Sequence, residues 1–218
     1  MQIGCDPKAD STINLTYGQK TPTVLQTMID KNDRVTIEDI VTKGAFGVLC
    51  VEAGGPPPGI GCAGRGIITA FEKLKELRAY EILKPDIIFY DVLGDVVCGG
   101  FALPIRNGYA DDVCVVTSGE MMSLYAANNI VSAVRSFSAS GYAKFKGLIL
   151  NQKNIKDEDA IVKKAAEEMG TEILHVIPRD PIVQQAENLQ MTVVEGFPDS
   201  NQAQSYRILS ERVCDLSK

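Results

Sequence analysis

A carboxylate and a thiol lie seven positions apart in the segment Asp86–Phe101. Asp91 ends an apolar run that is typical of a buried strand in a parallel sheet, and Gly94 and Asp95 follow it. A carboxylate at the carboxyl end of such a strand can hold a magnesium ion and sense a phosphate. Cys98 precedes two glycines and could bind a metal cluster. The spacing favours a switch, in which a change in the bound nucleotide moves the cysteine. The alternative is a segment without such a role, made of a buried strand, a turn and a core cysteine.

Cys62, like Cys98, lies among glycines, which allow backbone N–H groups to approach a sulfur atom. Neither cysteine has a C-x-x-C partner, whereas an iron–sulfur cluster usually takes four thiolates. Two copies of the chain supply four, which predicts a cluster shared across the twofold axis of a homodimer. The alternative is a pair of small buried hydrophobic residues. Arg65, close to Cys62, is either a residue that docks a partner or an ordinary surface arginine.

A second charged loop contains Asp6, Lys8 and Asp10. We interpret it as a nucleotide-sensing loop, with Asp10 near a magnesium ion and Asp6 near an attacking water; the alternative is a solvated turn. The roles of Cys5, which opens this loop, and of Cys214, near the end of the sequence, stay undecided. His175 is the only histidine and lies in an apolar run, which predicts a core residue rather than a catalytic one.

Apolar runs alternate with amphipathic segments along the chain. Strands are predicted over Val48–Glu52, Ile87–Tyr90, Val113–Thr117, Phe145–Leu150 and Glu172–Ile177. Helices are predicted over 22–30, 36–42, Ile67–Tyr80, 121–137, Lys156–Met169, Pro181–Gln190 and Asn201–Leu216. The alternation predicts an α/β fold, with a doubly wound, mostly parallel sheet flanked by helices, in one domain over residues 1–218. Polar clusters follow the strands, where such sheets bind ligands, at Asp6–Asp10, Asp91–Asp95, Ser118, Asn151 and Arg179–Asp180.

The composition and charge of the chain argue against several classes of protein. The 218 residues carry a net charge of −6, which argues against a nucleic-acid-binding protein. No apolar run approaches the roughly 20 residues of a membrane span, and no signal peptide is recognisable. The six cysteines have no regular disulfide spacing, which predicts a reducing, cytoplasmic location.

Several segments closely resemble the nitrogenase iron protein (dinitrogenase reductase) family. They are GCDPKADST (4–12), GIGCAGRG (59–66), DVLGDVVCGGF (91–101), SGEMM (118–122), YAANNI (125–130) and PRD (178–180). The resemblance runs nearly end to end. The same superfamily includes the reductase subunits of protochlorophyllide reductase and of the nickel-sirohydrochlorin reductive cyclase.

The resemblance implies a homodimer bridged by one 4Fe–4S cluster, which Cys62 and Cys98 of each chain hold. It implies an ATP-hydrolysing oxidoreductase that takes electrons from ferredoxin or flavodoxin. MgATP would drive their transfer, at low potential, to a larger catalytic component for nitrogen fixation or tetrapyrrole reduction. The corresponding roles are catalysis at Asp6, Asp10 and Asp95, cofactor binding at Asp91, Gly94, Asn151, Pro178, Arg179 and Asp180, and partner docking at Arg65.

One family feature is missing. A P-loop NTPase-like fold begins with a strand, a G-x-x-x-x-G-K-[ST] loop and a helix, and no such motif occurs in the 218 residues. We therefore expect an N-terminally truncated chain that binds MgATP weakly or not at all. The alternative functions are a cluster-binding or scaffold protein without ATPase activity, or an inactive fragment. A ParA/MinD-like ATPase is a third alternative, but such a protein would not need Cys62 and Cys98.

Overall fold

A computed structural model describes residues 1–32, 34–55, 63–94, 103–106, 108–138 and 142–216. The strands are β1 (Gln2–Gly4), β2 (Thr42–Lys43), β3 (Leu49–Glu52), β4 (Phe89–Asp91), β5 (Asp112–Thr117), β6 (Lys144–Asn151) and β7 (Ile173–Ile177). The helices are α1 (Val24–Lys31), α2 (Ile37–Ile40), α3 (Ala63–Glu76), α4 (Ala79–Leu83), α5 (Leu103–Arg106), α6 (Met121–Ser138), α7 (Glu158–Glu168), α8 (Ile182–Asn188), α9 (Val193–Gly196) and α10 (Asn201–Leu216). None of these described helices is long and apolar enough to cross a membrane.

The chain forms two compact units, and the first contains Met1–Leu93 and Glu187–Thr192. Its strands pair in the order β2-β3-β1-β4. β1 is parallel to β3 and β4, with Gly4 opposite both Glu52 and Asp91, whereas β2 is antiparallel to β3. The carboxyl ends of three strands therefore lie side by side at one edge of this sheet.

The second unit contains Pro104–Ala186 and Val193–Lys218. Its strands pair in the order β5-β6-β7, and both pairs are parallel. The register places Thr117 opposite Leu150 and Asn151 opposite Ile177. The polar residues that follow these strands therefore begin at a common edge.

Helices cover these sheets with apolar faces. In the first unit Ile67, Phe71 and Leu74 recur at helical spacing on α3 and are fully buried, and the ring of Phe71 lies 5.3 Å from that of Tyr90 on β4. In the second unit the core residues from β5, β6, α6 and α7 are Val115, Leu148, Ala127, Val131 and Ala166. The prediction of an α/β fold with a mostly parallel sheet flanked by helices is confirmed; the prediction of a single domain stays a prediction.

Two predicted helices differ from the structure. The segment Ile67–Tyr80 belongs to two helices, because Arg78 adopts a left-handed conformation (φ 53°) between α3 and α4. The helix predicted over 36–42 ends at Ile40, and the chain then enters β2. Val41 and Thr42 are β-branched, so this segment favours an extended backbone.

Candidate functional site

Asp91 is held at the ligand edge of the first unit by the loop that follows β1. The hydroxyl of Ser11 donates a hydrogen bond to Asp91 Oδ2 at 2.5 Å. The backbone N–H of Cys5 donates to the Asp91 carbonyl oxygen at 2.9 Å. The amide of Gln2 in turn donates to the carbonyl and hydroxyl oxygens of Ser11. Ser11, which follows Asp10 in this loop, and Asp91, which lies 80 positions further along the sequence, therefore meet at this edge.

Lys8 lies between the two carboxylates of this loop. Its Nζ is 3.7 Å from Asp6 Oδ2 and 3.5 Å from Asp10 Oδ2, and Asp6 Oδ1 accepts the Lys8 backbone N–H at 2.7 Å. The charges of Asp6 and then Asp10 raise the pKa of Lys8. The Lys8 side chain is 70% exposed, so these ion pairs orient the loop more than they stabilise it.

Glu52 is a site residue that the sequence analysis missed. It ends β3 and is fully buried, and its Oε1 accepts hydrogen bonds from the backbone N–H and the hydroxyl of Thr12, both at 2.7 Å. Burial raises the pKa of Glu52 against the effect of these donors, and the charges of Asp10 and Asp91 raise it further. A glutamate that ends an apolar run was the available signal.

Cys5, left undecided by the sequence, is a buried thiol. Burial raises its pKa to about 12, and the carboxylates of Asp91 and Glu52 contribute. Burial is also the main reason for the raised pKa values of Cys50 and Cys114. Cys5 and Cys50 are fully buried, so neither sulfur atom reaches a surface at which two copies of the chain could share a cluster.

We expect Cys5 to resist iodoacetamide at pH 8 in the native protein, because the raised pKa lowers its thiolate fraction about a thousandfold relative to an ordinary cysteine. Mass spectrometry of peptides from native and urea-unfolded protein checks this, with the unfolded sample as the control. Rapid modification of Cys5 in the native protein would contradict the assignment.

The second unit brings Asn151 and the Pro178–Asp180 segment together. Asn151 is paired with Ile177, and the Gln152 N–H donates to the Ile177 carbonyl at 2.9 Å. Asp180 turns back on its own backbone, since its Oδ1 accepts the Ile182 N–H at 2.9 Å. Pro178 and Arg179 are exposed. The predicted nucleotide-base residues of this unit therefore lie at its ligand edge, and their role stays a prediction.

Glu158 is the second site residue that the sequence analysis missed. Its carboxylate accepts backbone N–H groups from Gly119, after β5, and from Lys153 and Ile155, after β6, at 2.9 to 3.2 Å. Burial acts to raise its pKa, but these donors, with Asn154, outweigh burial and lower it. One carboxylate thus fixes two loops at the ligand edge of the second unit.

The remaining predicted residues divide into two groups. Gly94 is described and exposed. Cys62, Cys98 and Asp95 lie outside the described residues, as does the side chain of Arg65. Among described residues, no three His, Cys, Asp or Glu side chains form a metal site. Magnesium bound with a nucleotide needs only one or two carboxylates beside the phosphates, and the assignment of Asp10 and Asp91 to that role stays a prediction.

Solved structures with similar folds include two archaeal MinD proteins. The cell division ATPase MinD of Pyrococcus furiosus is 20% identical, with a TM-score of 0.70 over 98% of this chain and 84% of that protein. The septum site-determining protein MinD of Pyrococcus horikoshii, complexed with Mg-ADP, is also 20% identical, with a TM-score of 0.71 over 99% and 83%. A ParA family ATPase from Chlorobium tepidum is 16% identical, with a TM-score of 0.66 over 97% and 83%. At these identities the similarity establishes the P-loop NTPase fold.

The family is established by sequence. A sequence model of the 4Fe-4S iron sulfur cluster binding proteins of the NifH/frxC family matches residues 1–218, the whole chain. This match agrees with the predicted cluster cysteines, and the MinD and ParA similarity agrees with a nucleotide-dependent fold. The chain therefore belongs to the NifH/frxC family of 4Fe–4S cluster-binding proteins.

Proposed function

We propose that this chain is an ATP-dependent reductase component that carries a 4Fe–4S cluster between two copies of itself. It passes low-potential electrons to a larger nitrogenase-like catalytic component. The observation that carries the proposal is the family match over all 218 residues, which contain Cys62 and Cys98 in glycine-rich sequence segments. Ferredoxin or flavodoxin supplies the electrons, and the location is cytoplasmic.

Cys62 and Cys98 are the proposed cluster ligands. Burial of Cys5 and Cys50 supports this choice, because a fully buried sulfur atom does not reach a surface at which two copies of the chain could share a cluster. One chain then offers two ligand thiolates, and a second copy completes the usual set of about four. The bound cluster accepts and releases one electron at a time.

Exposed apolar side chains support a dimer. Met121, Met122 and Tyr125, at the start of α6, are 82%, 72% and 63% exposed. They follow the carboxyl end of β5, where the ligand edge of the second unit lies. A cluster of exposed apolar side chains beside a site is typical of an interaction surface, and a second copy is the partner that cluster assembly requires.

The loop after β1 and the end of β4 form the proposed hydrolytic centre. Asp10 and Asp91 lie at the magnesium ion, and Asp6 orients the attacking water. Ser11 supports this arrangement. It is the residue after Asp10, and its hydroxyl holds the Asp91 carboxylate. Gly94 and Asp95 follow Asp91 in the chain and connect this centre to Cys98.

The base of the nucleotide is assigned to the second unit. Asn151, Pro178, Arg179 and Asp180 contact the adenine in this proposal. Their common position after β6 and β7 supports it, as does Glu158, which holds the loop that follows Asn151. Arg65 is assigned to docking of the larger component.

The experiment is anaerobic reconstitution of the chain with iron and sulfide, followed by a MgATP titration in a calorimeter and a phosphate-release assay. The proposal predicts a brown dimer with about four irons per two chains that binds and hydrolyses MgATP. The absence of a G-x-x-x-x-G-K-[ST] motif from the 218 residues instead predicts weak MgATP binding, and the titration decides between these two expectations. A brown dimer without MgATP binding would replace the proposal by a cluster-binding protein that lacks ATPase activity. Hydrolysis without iron would favour a MinD/ParA-like ATPase.

A further inference from the structure

Burial of the Glu52 carboxyl group lowers the stability of the fold, and packing of the core gives no reason for a carboxyl group at this position. It is fully buried, and within the described part of the chain its Oε2 has no hydrogen-bond partner. A buried polar atom without a partner destabilises a fold, so an apolar residue at this position would serve the core better. The other oxygen, Oε1, is fully used by the two donors of Thr12.

The backbone beside Glu52 is adapted to this carboxyl group. Gly4 lies opposite Glu52 in the sheet, and a Cβ atom at Gly4 would lie 1.9 Å from Oε2 and 2.8 Å from the Cβ of Ser11. Any larger residue would therefore displace the carboxyl group or the loop. The hydroxyl of Thr12 also lies 3.1 Å from that of Thr21, which is itself buried. Several residues thus share one buried polar contact.

The hydrogen bond between Thr12 and Glu52 has a counterpart in the hydrogen bond between Ser11 and Asp91. Ser11 binds the carboxylate at the end of β4, and Thr12 binds the carboxyl group at the end of β3. The two strands lie on opposite sides of β1, so adjacent residues anchor the loop to both neighbours of its own strand. Asp10 immediately precedes these two anchors.

We propose that Glu52 is a positioning residue, which acts through Thr12 to fix the loop of Asp6 and Asp10 against β3. It touches neither the nucleotide nor the attacking water. The inference rests on the proposed function, because the task of the positioned loop is MgATP hydrolysis. The Glu52 contact sets how often Asp6 and Asp10 occupy the geometry that hydrolysis requires.

The test compares Thr12→Val with Thr12→Ser in the full reconstituted chain. Valine removes the hydroxyl donor but keeps the shape and the backbone donor, so the protein still folds. We expect amide hydrogen exchange in residues 5–12 to accelerate about tenfold in Thr12→Val and to return towards wild type in Thr12→Ser. Exchange in β6, which belongs to the second unit, stays unchanged. Thr27→Val is the matched control, because Thr27 is a buried threonine of the same unit whose hydroxyl bonds Thr23.

Kinetics separate positioning from a purely structural role. Thr12→Val is expected to lower kcat for MgATP hydrolysis about tenfold with little change in KM, and Thr12→Ser restores it. Wild-type exchange in residues 5–12 of Thr12→Val overturns the inference, and so does faster exchange with unchanged kcat. If the wild-type chain hydrolyses no MgATP, the proposed function fails, whereas the exchange experiment still decides whether the Thr12 hydroxyl, which donates to Glu52, holds the loop.

Discussion

Replacement of Cys98 by serine is expected to leave the reconstituted chain without its cluster. A serine hydroxyl is a poor substitute for a thiolate at iron, and the pair of chains would lose two ligands of about four at once. Iron content should fall from about four atoms per two chains to below one, and the visible absorbance of the reconstituted protein should disappear. Iron analysis and absorbance spectra of the purified variant measure this directly.

The control for this variant is Cys114→Ser. Cys114 lies in β5, is partly buried and is not one of the proposed cluster ligands. We expect Cys114→Ser to retain the iron and absorbance of the wild type. Four irons per two chains in Cys98→Ser, or loss of iron in Cys114→Ser alone, would show that the ligand assignment is wrong.

Glu158→Ala is expected to lower the free energy of unfolding by about 3 kcal/mol. The substitution removes the acceptor of the Gly119, Lys153 and Ile155 N–H groups, which then lack their shared partner. The Glu158 side chain also packs closely against Gly119, since a Cβ atom added to Gly119 would lie 2.7 Å from the Glu158 Cγ. Its removal therefore leaves a gap beside Gly119. Urea unfolding followed by circular dichroism measures the change.

The Glu158 contribution depends on pH in a defined direction. Its folded pKa lies below the ordinary value of 4.5, so its stabilisation is complete above about pH 4.5 and is lost as the pH falls through the folded pKa. The difference in unfolding free energy between wild type and Glu158→Gln should therefore shrink on acidification from pH 6 to pH 3. A difference that stays constant would mean that Glu158 is not ionised in the folded protein.

Glu168→Ala is the matched control for Glu158→Ala, and Glu168→Gln is the matched control for Glu158→Gln. Each makes the same change on the same helix, at a side chain that is 70% exposed and 3.9 Å from Lys164. Such a surface pair contributes about 0.5 kcal/mol or less. A large effect at Glu168 would show that charge on α7, rather than the Glu158 hydrogen bonds, governs stability.

Much of the fold follows from local pattern. The apolar runs at β3, β5, β6 and β7 and the periodic segments at α6, α7 and α10 predict these elements closely, because burial imposes a period of 2 or 3.6 residues. The prediction that His175 is a core residue is confirmed, since it is buried and its Nε2 lies 2.9 Å from the Ser205 hydroxyl. The break at Arg78 has no such signal, because its φ reflects how α3 and α4 pack.

The sequence was enough to predict the family, the alternation of strands and helices, and the candidate ligands Asp10, Asp91, Cys62 and Cys98. These features reside in residue types at fixed spacing, which needs no knowledge of distant contacts. Only the tertiary structure revealed the positioning roles of Glu52 and Glu158. Their partners Thr12 and Gly119 lie 40 and 39 positions away. A glutamate is normally expected at the surface. Whether its carboxyl group is instead buried and holds a loop depends on which strand ends the fold brings together, and the local sequence pattern does not encode that.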